Sequence, residues 1–263
     1  MTAPSIALSA PVGYADAPLL VLGPSLGTST VLWDTVVPRL AERHRVVAWD
    51  LPGHGAAPPA SGPFTIGEIA DAVADALRTH EHEHFRYAGV SFSGAVGLEL
   101  MLRHPGMVDG AALLCTAARF GEPEGWHERA AEVRASGTSA LTVGSAQRWF
   151  APGSMAREPE LTARLLQALQ DTDDESYALC CEALAGYDVR DRLGEIETPV
   201  LALWGEFDEV TPEPALVEIA EGVQEGAVAW IADAAHLPPV EQPAAVAKVL
   251  GEFFAGIDER VSA

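Results

Sequence analysis

Short runs of apolar residues alternate along the chain with segments whose apolar residues recur at helical spacing. Six of the runs fit strands buried on both faces of a sheet, because they are short and almost continuously apolar. They comprise residues 18–23, 45–49, 85–90, 110–115, 199–204 and 227–231. Helical patterns at 65–80 and 92–104 lie between them, as in parallel strands joined by crossover helices. We therefore predict an α/β protein with a mostly parallel central sheet flanked by helices, and an N-terminal hairpin over residues 5–15.

This alternation stops between residues 119 and 188, where the sequence becomes helical and polar. Helical patterns cover residues 126–135, 145–150 and 159–170. Ordinary crossover helices are the simplest alternative, but a stretch of roughly 70 residues is far longer than one crossover needs. We predict a helical cap segment, residues 119–188, that is inserted into a core domain formed by 1–118 and 189–263. Such an insertion at the strand ends would cover a pocket and exclude water.

The charge balance of the chain limits its partners. Its 263 residues include 16 Lys and Arg against 38 Asp and Glu, a formal net charge of -22. This charge repels phosphate backbones and anionic lipids, so we expect neither nucleic acid nor membrane as a partner. An anionic substrate would need local positive charge to overcome the same field. The sequence carries no indication of an oligomeric state.

Targeting and redox signals favour a cytoplasmic protein. The first 18 residues lack a basic leader followed by an apolar core, and no apolar stretch approaches the length of a membrane span. Three cysteines are odd in number and two of them are adjacent, so no disulfide framework is indicated.

The most informative local motif follows the strand at 85–90. Gly89-Val90-Ser91-Phe92-Ser93 leads directly into a helical pattern, which is the strand, turn and helix of a nucleophile elbow. Ser93 stands where the usual pattern has glycine. A serine at a helix start is often just an N-cap, but this context favours Ser91 as a nucleophile.

Two backbone N–H groups are candidates for an oxyanion hole. Phe92 lies at the helix N-terminus beside Ser91, where free N–H groups and the helix dipole stabilise negative charge. The loop after the first predicted strand, Pro24-Ser25-Leu26-Gly27, supplies Leu26 as the second donor. A plain strand-to-helix turn is the alternative interpretation of this loop.

A serine nucleophile needs an imidazole base and an acid that orients it, and in this kind of fold they follow the serine in the order acid, histidine. His236 is the single histidine after position 127. Asp208, four residues past the apolar end of the strand at 199–204, is the favoured acid. Glu206 and Asp233 are its nearest rivals. Such a site requires no cofactor and no metal, and the alternating His80, His82 and His84 are expected to be a solvated connector.

Longer stretches of the sequence resemble one family, the 3-oxoadipate enol-lactonases of the α/β-hydrolase fold. The matching segments are GVSFSGAVGLELMLRHP, LCTAARFGEPEGWHERAAEVRASG, SAQRWFAPG, SYALCCEALAGYDVRDRL and TPVLALWGEFDEVTP. The resemblance covers nearly the whole chain. It implies the opening of an enol lactone bearing a carboxylate, a small-molecule substrate, to 3-oxoadipate through a Ser91 acyl-enzyme.

The resemblance also implies that the cap segment supplies specificity. Trp126 is a candidate pocket wall, although it could equally anchor helix packing. Candidate partners for the substrate carboxylate are Arg119, His127, Arg134 and Arg148. The alternatives that remain are a general carboxylesterase, a carbon–carbon bond hydrolase or a perhydrolase of the same fold, and a non-catalytic binding module built on this scaffold.

Overall fold

A computed structural model of the protein describes residues 4–80 and 82–261, which leaves residues 1–3, Glu81 and residues 262–263 outside it. Seven strands form one sheet. They are β1 (Ala7–Leu8), β2 (Leu19–Gly23), β3 (Arg45–Asp50), β4 (Phe85–Val90), β5 (Val108–Leu114), β6 (Val200–Gly205) and β7 (Gly226–Ile231). Their spatial order is β1-β3-β2-β4-β5-β6-β7, and every pair except β1–β3 is parallel. The predicted mostly parallel sheet is confirmed.

Two details of the predicted sheet are wrong. Ala7, Leu8 and Val12 pair antiparallel with β3 rather than with each other, so residues 5–15 do not form a hairpin. β7 is not buried on both faces, since Val228 is 52% and Trp230 56% exposed. β7 lies at the sheet edge, and an apolar run in an edge strand cannot be distinguished by composition from one in a central strand.

Helices cover both faces of the sheet. Leu113 of β5 contacts Gly97 on one face, and Gly110 of the same strand contacts Ile257 on the other, as the alternation of side chains along a strand requires. The helices are α1 (Val37–Leu40), α2 (Ile66–Thr79), α3 (Phe92–Arg103), α4 (Pro123–Ser136), α5 (Thr142–Trp149), α6 (Ser154–Arg157), α7 (Pro159–Asp171), α8 (Asp174–Ala185), α9 (Glu213–Gly222), α10 (Pro238–Glu241) and α11 (Pro243–Val261).

The secondary-structure elements of the predicted cap segment, residues 119–188, are all helices. Helices α4 to α8 all lie between β5 and β6 in the chain, and α4 packs against α8. Arg119 and Asp188, at the two ends of the segment, pair in an isolated antiparallel bridge. The division into a core domain and a cap stays a prediction. Of the helices in residues 4–80 and 82–261, none combines the length and apolar character needed to cross a bilayer.

Candidate active site

Ser91 lies between the end of β4 and the start of α3, in a backbone conformation that serine rarely adopts. Its φ is 56° and its ψ is -112°. The conformation is held from both sides, because the Ser91 N–H donates to the Leu114 carbonyl at 2.8 Å while its own carbonyl accepts from Gly94 N and Thr116 Oγ1. Backbone strain of this kind costs about 1–3 kcal/mol and persists where the surroundings enforce it. The residue is 7% exposed.

The residues two positions either side of Ser91 are packed tightly enough to explain their size. A Cβ atom at Gly89 would lie 2.4 Å from the Ser93 carbonyl oxygen, so glycine is required there. Ser93 fits because the neighbouring residue is Gly23. A Cβ atom at position 23 would lie only 2.5 Å from the Cβ atom of Ser93. The Ser93 hydroxyl donates to the Pro24 carbonyl at 2.5 Å. The departure from the glycine pattern therefore ties this turn to the loop after β2.

The two predicted oxyanion donors lie on elements that adjoin Ser91. Phe92 is the first residue of α3, and Leu26 lies in the loop after β2. Neither N–H donates to any of the residues that the structure describes, so both are available to a ligand. Gly27, which follows Leu26, has a φ of +77°, and a Cβ there would lie 2.7 Å from Leu169 Cδ1. Glycine thus lets this loop turn directly beneath the cap segment.

A buried histidine, His54, is hydrogen bonded to the loop that contains Leu26 and Gly27. Its Nε2 accepts a hydrogen bond from the Gly27 N–H at 3.1 Å, and its Nδ1 lies 2.9 Å from the Pro52 carbonyl. Because a carbonyl only accepts, Nδ1 carries the proton and the ring is neutral. Burial lowers the pKa of His54 to about 4, against an opposing contribution from the Pro52 hydrogen bond. The ring stacks on Tyr177 with centroids 6.3 Å apart.

Asp208 and His236 form a buried hydrogen-bonded pair in the loops that follow β6 and β7. His236 Nδ1 lies 3.1 and 3.0 Å from the two carboxylate oxygens of Asp208. Thr211 donates to the same carboxylate through its hydroxyl at 2.8 Å and its N–H at 3.1 Å. Burial opposes the charge of Asp208, but His236 and Thr211 outweigh it and hold the pKa of the carboxyl below its ordinary value. Since an ionised carboxylate only accepts, Nδ1 is the protonated nitrogen and Nε2 is free to accept a proton.

Among the described residues, neither rival side chain is hydrogen bonded to His236. Glu206 accepts a hydrogen bond from the Asp233 backbone N–H at 3.0 Å. The Asp233 carbonyl accepts from Arg157 and Gln242, each at 3.3 Å. Among the described residues, Asp208 is the carboxylate hydrogen bonded to His236. The geometry therefore favours Asp208 as the orienting acid over both rivals, and its catalytic role stays a prediction.

The Ser91 hydroxyl is not hydrogen bonded to His236 or to any other residue in the described part of the chain. Hydrogen bonds between nucleophile and base are often long in unliganded enzymes and shorten when substrate binds. Three side chains of residues 119–188, Leu169, Tyr177 and Trp149, surround the position that a Cβ atom would take at Gly27, next to the candidate donor Leu26.

Glu241, at the end of α10, joins the cap segment to the loop that carries His236. One carboxylate oxygen accepts from the Ala151 N–H at 2.6 Å and the Ser154 hydroxyl at 2.7 Å. The other accepts from the Ala235 N–H at 2.7 Å, directly before His236. Burial raises the pKa of Glu241, and these hydrogen bonds oppose the rise. A single side chain thus fixes the backbone of both regions.

Three potential metal ligands lie together at this site. Cys115 Sγ, an Asp208 oxygen and a His236 nitrogen are all within 4.8 Å of one another. The last two are already hydrogen bonded to each other, and burial raises the pKa of the Cys115 thiol well above its ordinary value. A metal needs the thiolate and a free imidazole nitrogen, so this donor set is poorly suited to one. Chemistry without a metal stays our prediction.

Trp126 is tied into the cap segment. Its Nε1 donates to the Phe120 carbonyl at 2.7 Å, and its ring packs edge-on against that of Phe120. It also lines a cavity of about 260 Å³ that includes Thr211, the partner of Asp208. The structure thus gives Trp126 an anchoring contact, and its predicted contact with substrate remains a prediction.

Sequence reasoning did not single out His54, Thr211 or Glu241 as site residues. The signal for Glu241 was a lone carboxylate in the apolar, proline-rich segment 237–243, where a charge is costly unless it is hydrogen bonded. His54 stands between two glycines, a turn context that indicates a close backbone approach. Thr211 carried no comparable signal.

Comparisons with known proteins agree with this geometry. A family model described as alpha/beta hydrolase fold matches residues 18–243. The chain is 33% identical over 246 residues to 3-oxoadipate enol-lactonase 2 of Acinetobacter baylyi, covering 93% of this chain and 92% of the relative. It is 31% identical over 250 residues to a pimeloyl-[acyl-carrier protein] methyl ester esterase of Methylococcus capsulatus, covering 90% and 95%.

A solved structure, the enol-lactonase from Burkholderia xenovorans LB400, superimposes with a TM-score of 0.90 at 31% identity, covering 95% of this chain and 96% of that one. The resemblance found in the sequence is thereby confirmed, and the chain belongs to the α/β-hydrolase family.

Proposed function

We propose that the protein is a serine hydrolase that opens 3-oxoadipate enol-lactone to 3-oxoadipate. The observation that carries the proposal is the buried Asp208–His236 hydrogen bond at the C-terminal ends of the strands, where Ser91 lies in a turn with positive φ. Similarity over nearly the full chain to enol-lactonases of Acinetobacter baylyi and Burkholderia xenovorans supports the substrate. The matched relatives make a small lactone or ester the substrate class.

In the first step Ser91 Oγ attacks the lactone carbonyl while His236 Nε2 accepts the hydroxyl proton. Asp208 stabilises the imidazolium that forms and keeps the ring oriented. The N–H groups of Leu26 and Phe92 donate to the oxygen of the tetrahedral intermediate, where they are worth more than in water because the site is buried. The ring C–O bond then breaks, and the leaving oxygen departs as an enolate. The enolate takes up the proton held by His236 Nε2, which returns the imidazole to its neutral form.

In the second step water hydrolyses the open acyl-enzyme. His236 removes a proton from the water as it attacks the acyl carbon, and returns that proton to Ser91 Oγ as the ester bond breaks. The enol of the released product converts to the ketone. An enolate leaves readily, so protonation of the leaving group matters less here than in amide cleavage.

A carboxylesterase is the second candidate. The 31% identity to a methyl ester esterase of Methylococcus capsulatus favours it, because that relative covers the chain almost as completely as the lactonases do. Both reactions use the same three side chains and differ in what the cap segment admits. We further propose that the cap segment, residues 119–188, is a distinct roof over the site. The three free cysteines, all buried, agree with a proposed cytoplasmic location.

The test compares wild type and Ser91→Ala on the enol lactone, p-nitrophenyl acetate and a dienoic acid. We expect the lactone to be turned over far faster than the other two, and the substitution to reduce that turnover by about 10⁴ or more. Equal activity of the wild type on all three would contradict the lactonase and leave a hydrolase of broad specificity.

A non-catalytic binding module is tested separately with a fluorophosphonate, which labels an activated serine. We expect a mass increase on Ser91 of the wild type and none on Ser91→Ala. Absence of labelling in both proteins would favour the binding module.

A further inference from the structure

The loop after β2 holds Leu26 between two peptide groups whose orientations are fixed by hydrogen bonds. The first is the Ser25–Leu26 peptide. Its carbonyl accepts from the Thr28 N–H at 3.0 Å and from the Thr28 hydroxyl at 2.8 Å. A trans peptide directs its N–H away from its carbonyl, so these two bonds also set the direction of the Leu26 N–H. Thr28 is fully buried, so water does not compete with either bond.

The second is the Leu26–Gly27 peptide, which His54 holds from the neighbouring loop. The Gly27 N–H donates to His54 Nε2 at 3.1 Å. The other ring nitrogen donates to the Pro52 carbonyl at 2.9 Å, so the ring is anchored on the loop after β3 and Nε2 is left as the acceptor. Burial lowers the pKa of His54 to about 4, so the ring keeps this neutral form at neutral pH.

A buried carboxylate, Asp50 at the end of β3, joins the same two loops a second time. One of its oxygens accepts from the Thr30 N–H at 2.7 Å, where the loop after β2 ends. The other accepts from the Ala56 N–H at 2.9 Å, in the loop that carries His54. The position of the His54 ring relative to the Gly27 N–H is therefore fixed by contacts from both loops.

We propose that His54 and Thr28 are positioning residues that aim the Leu26 N–H at the oxyanion formed during hydrolysis. The inference rests on the proposed hydrolase function and on Leu26 as an oxyanion donor. Such a donor is effective only within about 2.7–3.1 Å of the developing charge, so the loop must orient its N–H before the substrate arrives. Each of the two side chains fixes one of the peptide groups that flank Leu26.

The role of His54 follows from what its removal would leave behind. Without the Nε2 acceptor, the Gly27 N–H would be buried without a partner. Such a group is costly, and the loop relieves the cost by moving that N–H towards another acceptor or towards water. The Leu26 N–H then leaves its position, because the two peptide groups adjoin. Full negative charge on the oxygen exists in the transition states and not in the bound substrate, so kcat falls while KM stays nearly constant.

The experiment compares two side chains of nearly equal length and shape at position 54. His54→Met removes the acceptor, whereas His54→Gln places a carbonyl oxygen where Nε2 lay. We expect His54→Met to lower kcat on the enol lactone and on p-nitrophenyl acetate about 10- to 100-fold, with KM within about threefold of wild type. His54→Gln should recover most of this loss.

Thr28 is tested by a second matched pair. Thr28→Val keeps the shape of the side chain and the backbone hydrogen bond, but removes the hydroxyl that donates to the Ser25 carbonyl. It should lower kcat about 3- to 10-fold on both substrates, again without a matching change in KM. Thr28→Ser restores a hydroxyl and should recover most of the loss.

His44 provides the control for a purely structural role. It is a buried histidine at the opposite end of β3, where Nδ1 donates to the Leu40 carbonyl at 3.1 Å and Nε2 accepts from Arg86 at 2.9 Å. His44→Met should lower the temperature of thermal unfolding but change kcat by less than about twofold, because it lies away from the carboxyl ends of the strands.

A transition-state analogue measures the oxyanion contact without turnover. Ser91 Oγ adds to the carbonyl carbon of trifluoroacetone, His236 takes the hydroxyl proton, and the carbonyl oxygen becomes an oxyanion. The inhibition constant of trifluoroacetone should rise in His54→Met by about the factor by which kcat falls.

Unchanged kcat and unchanged trifluoroacetone inhibition in His54→Met would overturn the positioning role. It would also be overturned if His54→Gln lost as much kcat as His54→Met, or if His44→Met lost as much, because either result would reflect general destabilisation. The proposed lactonase fails separately, if these differences are found on p-nitrophenyl acetate but the wild type does not open the enol lactone.

Discussion

Two regions of the molecule position their polar groups by different means. One is the strand-end site, formed by Ser91, Asp208 and His236, and the other is the cap segment. Ser91 is fixed through backbone hydrogen bonds to the neighbouring strand, and His236 through a buried pair with Asp208. In the cap segment, Arg134 is held by ion pairs to Glu175 and Glu182, and the Arg134 side chain is 36% exposed. The residues proposed for catalysis are therefore held by buried hydrogen bonds, whereas Arg134 is held at the surface by partners more than 40 positions away in the chain.

The largest effect is expected for a substitution in the strand-end site. Asp208→Asn should lower kcat by about 10⁴, because an amide no longer stabilises the imidazolium and can leave His236 in the wrong tautomer. Asp233→Asn and Glu206→Gln are matched controls, since both carboxylates lie in the same loops and neither is hydrogen bonded to His236 among the described residues. Steady-state kinetics on the enol lactone measures all three. A strongly reduced kcat in either control, together with a nearly normal kcat in Asp208→Asn, would show that the acid had been assigned to the wrong residue.

An intermediate effect concerns His54, which lies between the two regions. Its folded-state pKa of about 4 is below its ordinary value of 6.5, so the unfolded chain binds a proton that the folded chain does not. Between these pH values stability rises with pH, and it is lost as pH falls below 6.5. We expect His54 alone to cost about 2 kcal/mol of unfolding free energy at pH 5 relative to pH 7.5.

Urea denaturation of wild type and His54→Gln at both pH values isolates that contribution. The wild type should lose more stability than the variant on acidification, by about that amount. Parallel losses in the two proteins would mean that His54 is protonated without penalty in the folded state.

The smallest effect is expected in the cap segment. Arg134→Gln should reduce the free energy of unfolding by less than about 1 kcal/mol, because exposed ion pairs are screened by water and salt. The difference from wild type should shrink further in 1 M NaCl. Chemical denaturation at low and high salt measures it. A loss above about 2 kcal/mol, insensitive to salt, would show that the cap segment is as tightly fixed as the strand-end site.

The same contrast explains what could be predicted from sequence. The bounds of the β4–Ser91–α3 unit were predicted to within one residue, because strand, turn and helix follow one another in the chain and each has a local signature. Chain order selected His236, and its position after a strand favoured Asp208 over Glu206 and Asp233. The structure joins Asp208 and His236 by a hydrogen bond. The exposure of β7 was missed because edge position is a property of the sheet, not of the strand.

The ion pairs of Arg134 could not be predicted for a related reason. Whether an arginine is free depends on every acid that folding brings near it, and Glu175 and Glu182 reach Arg134 from another helix. Glu241 was missed because its partners Ala151 and Ser154 lie about 90 positions away in the chain. Local pattern therefore selected the proposed reacting groups, whereas contacts between segments distant in the chain could not be predicted from it.

The contacts of Glu241 restrict which cap segments from related proteins could replace the one in this chain. Because one carboxylate holds the backbone at Ala151, the hydroxyl of Ser154 and the residue before His236, a transplanted cap must present an N–H and a hydroxyl at the same two places. A chimaera whose donor cap lacks them would leave the buried Glu241 carboxylate without two of its hydrogen bonds, next to the loop that carries His236. A chimaera made to change specificity should therefore retain residues 151–154 of this protein together with the core domain.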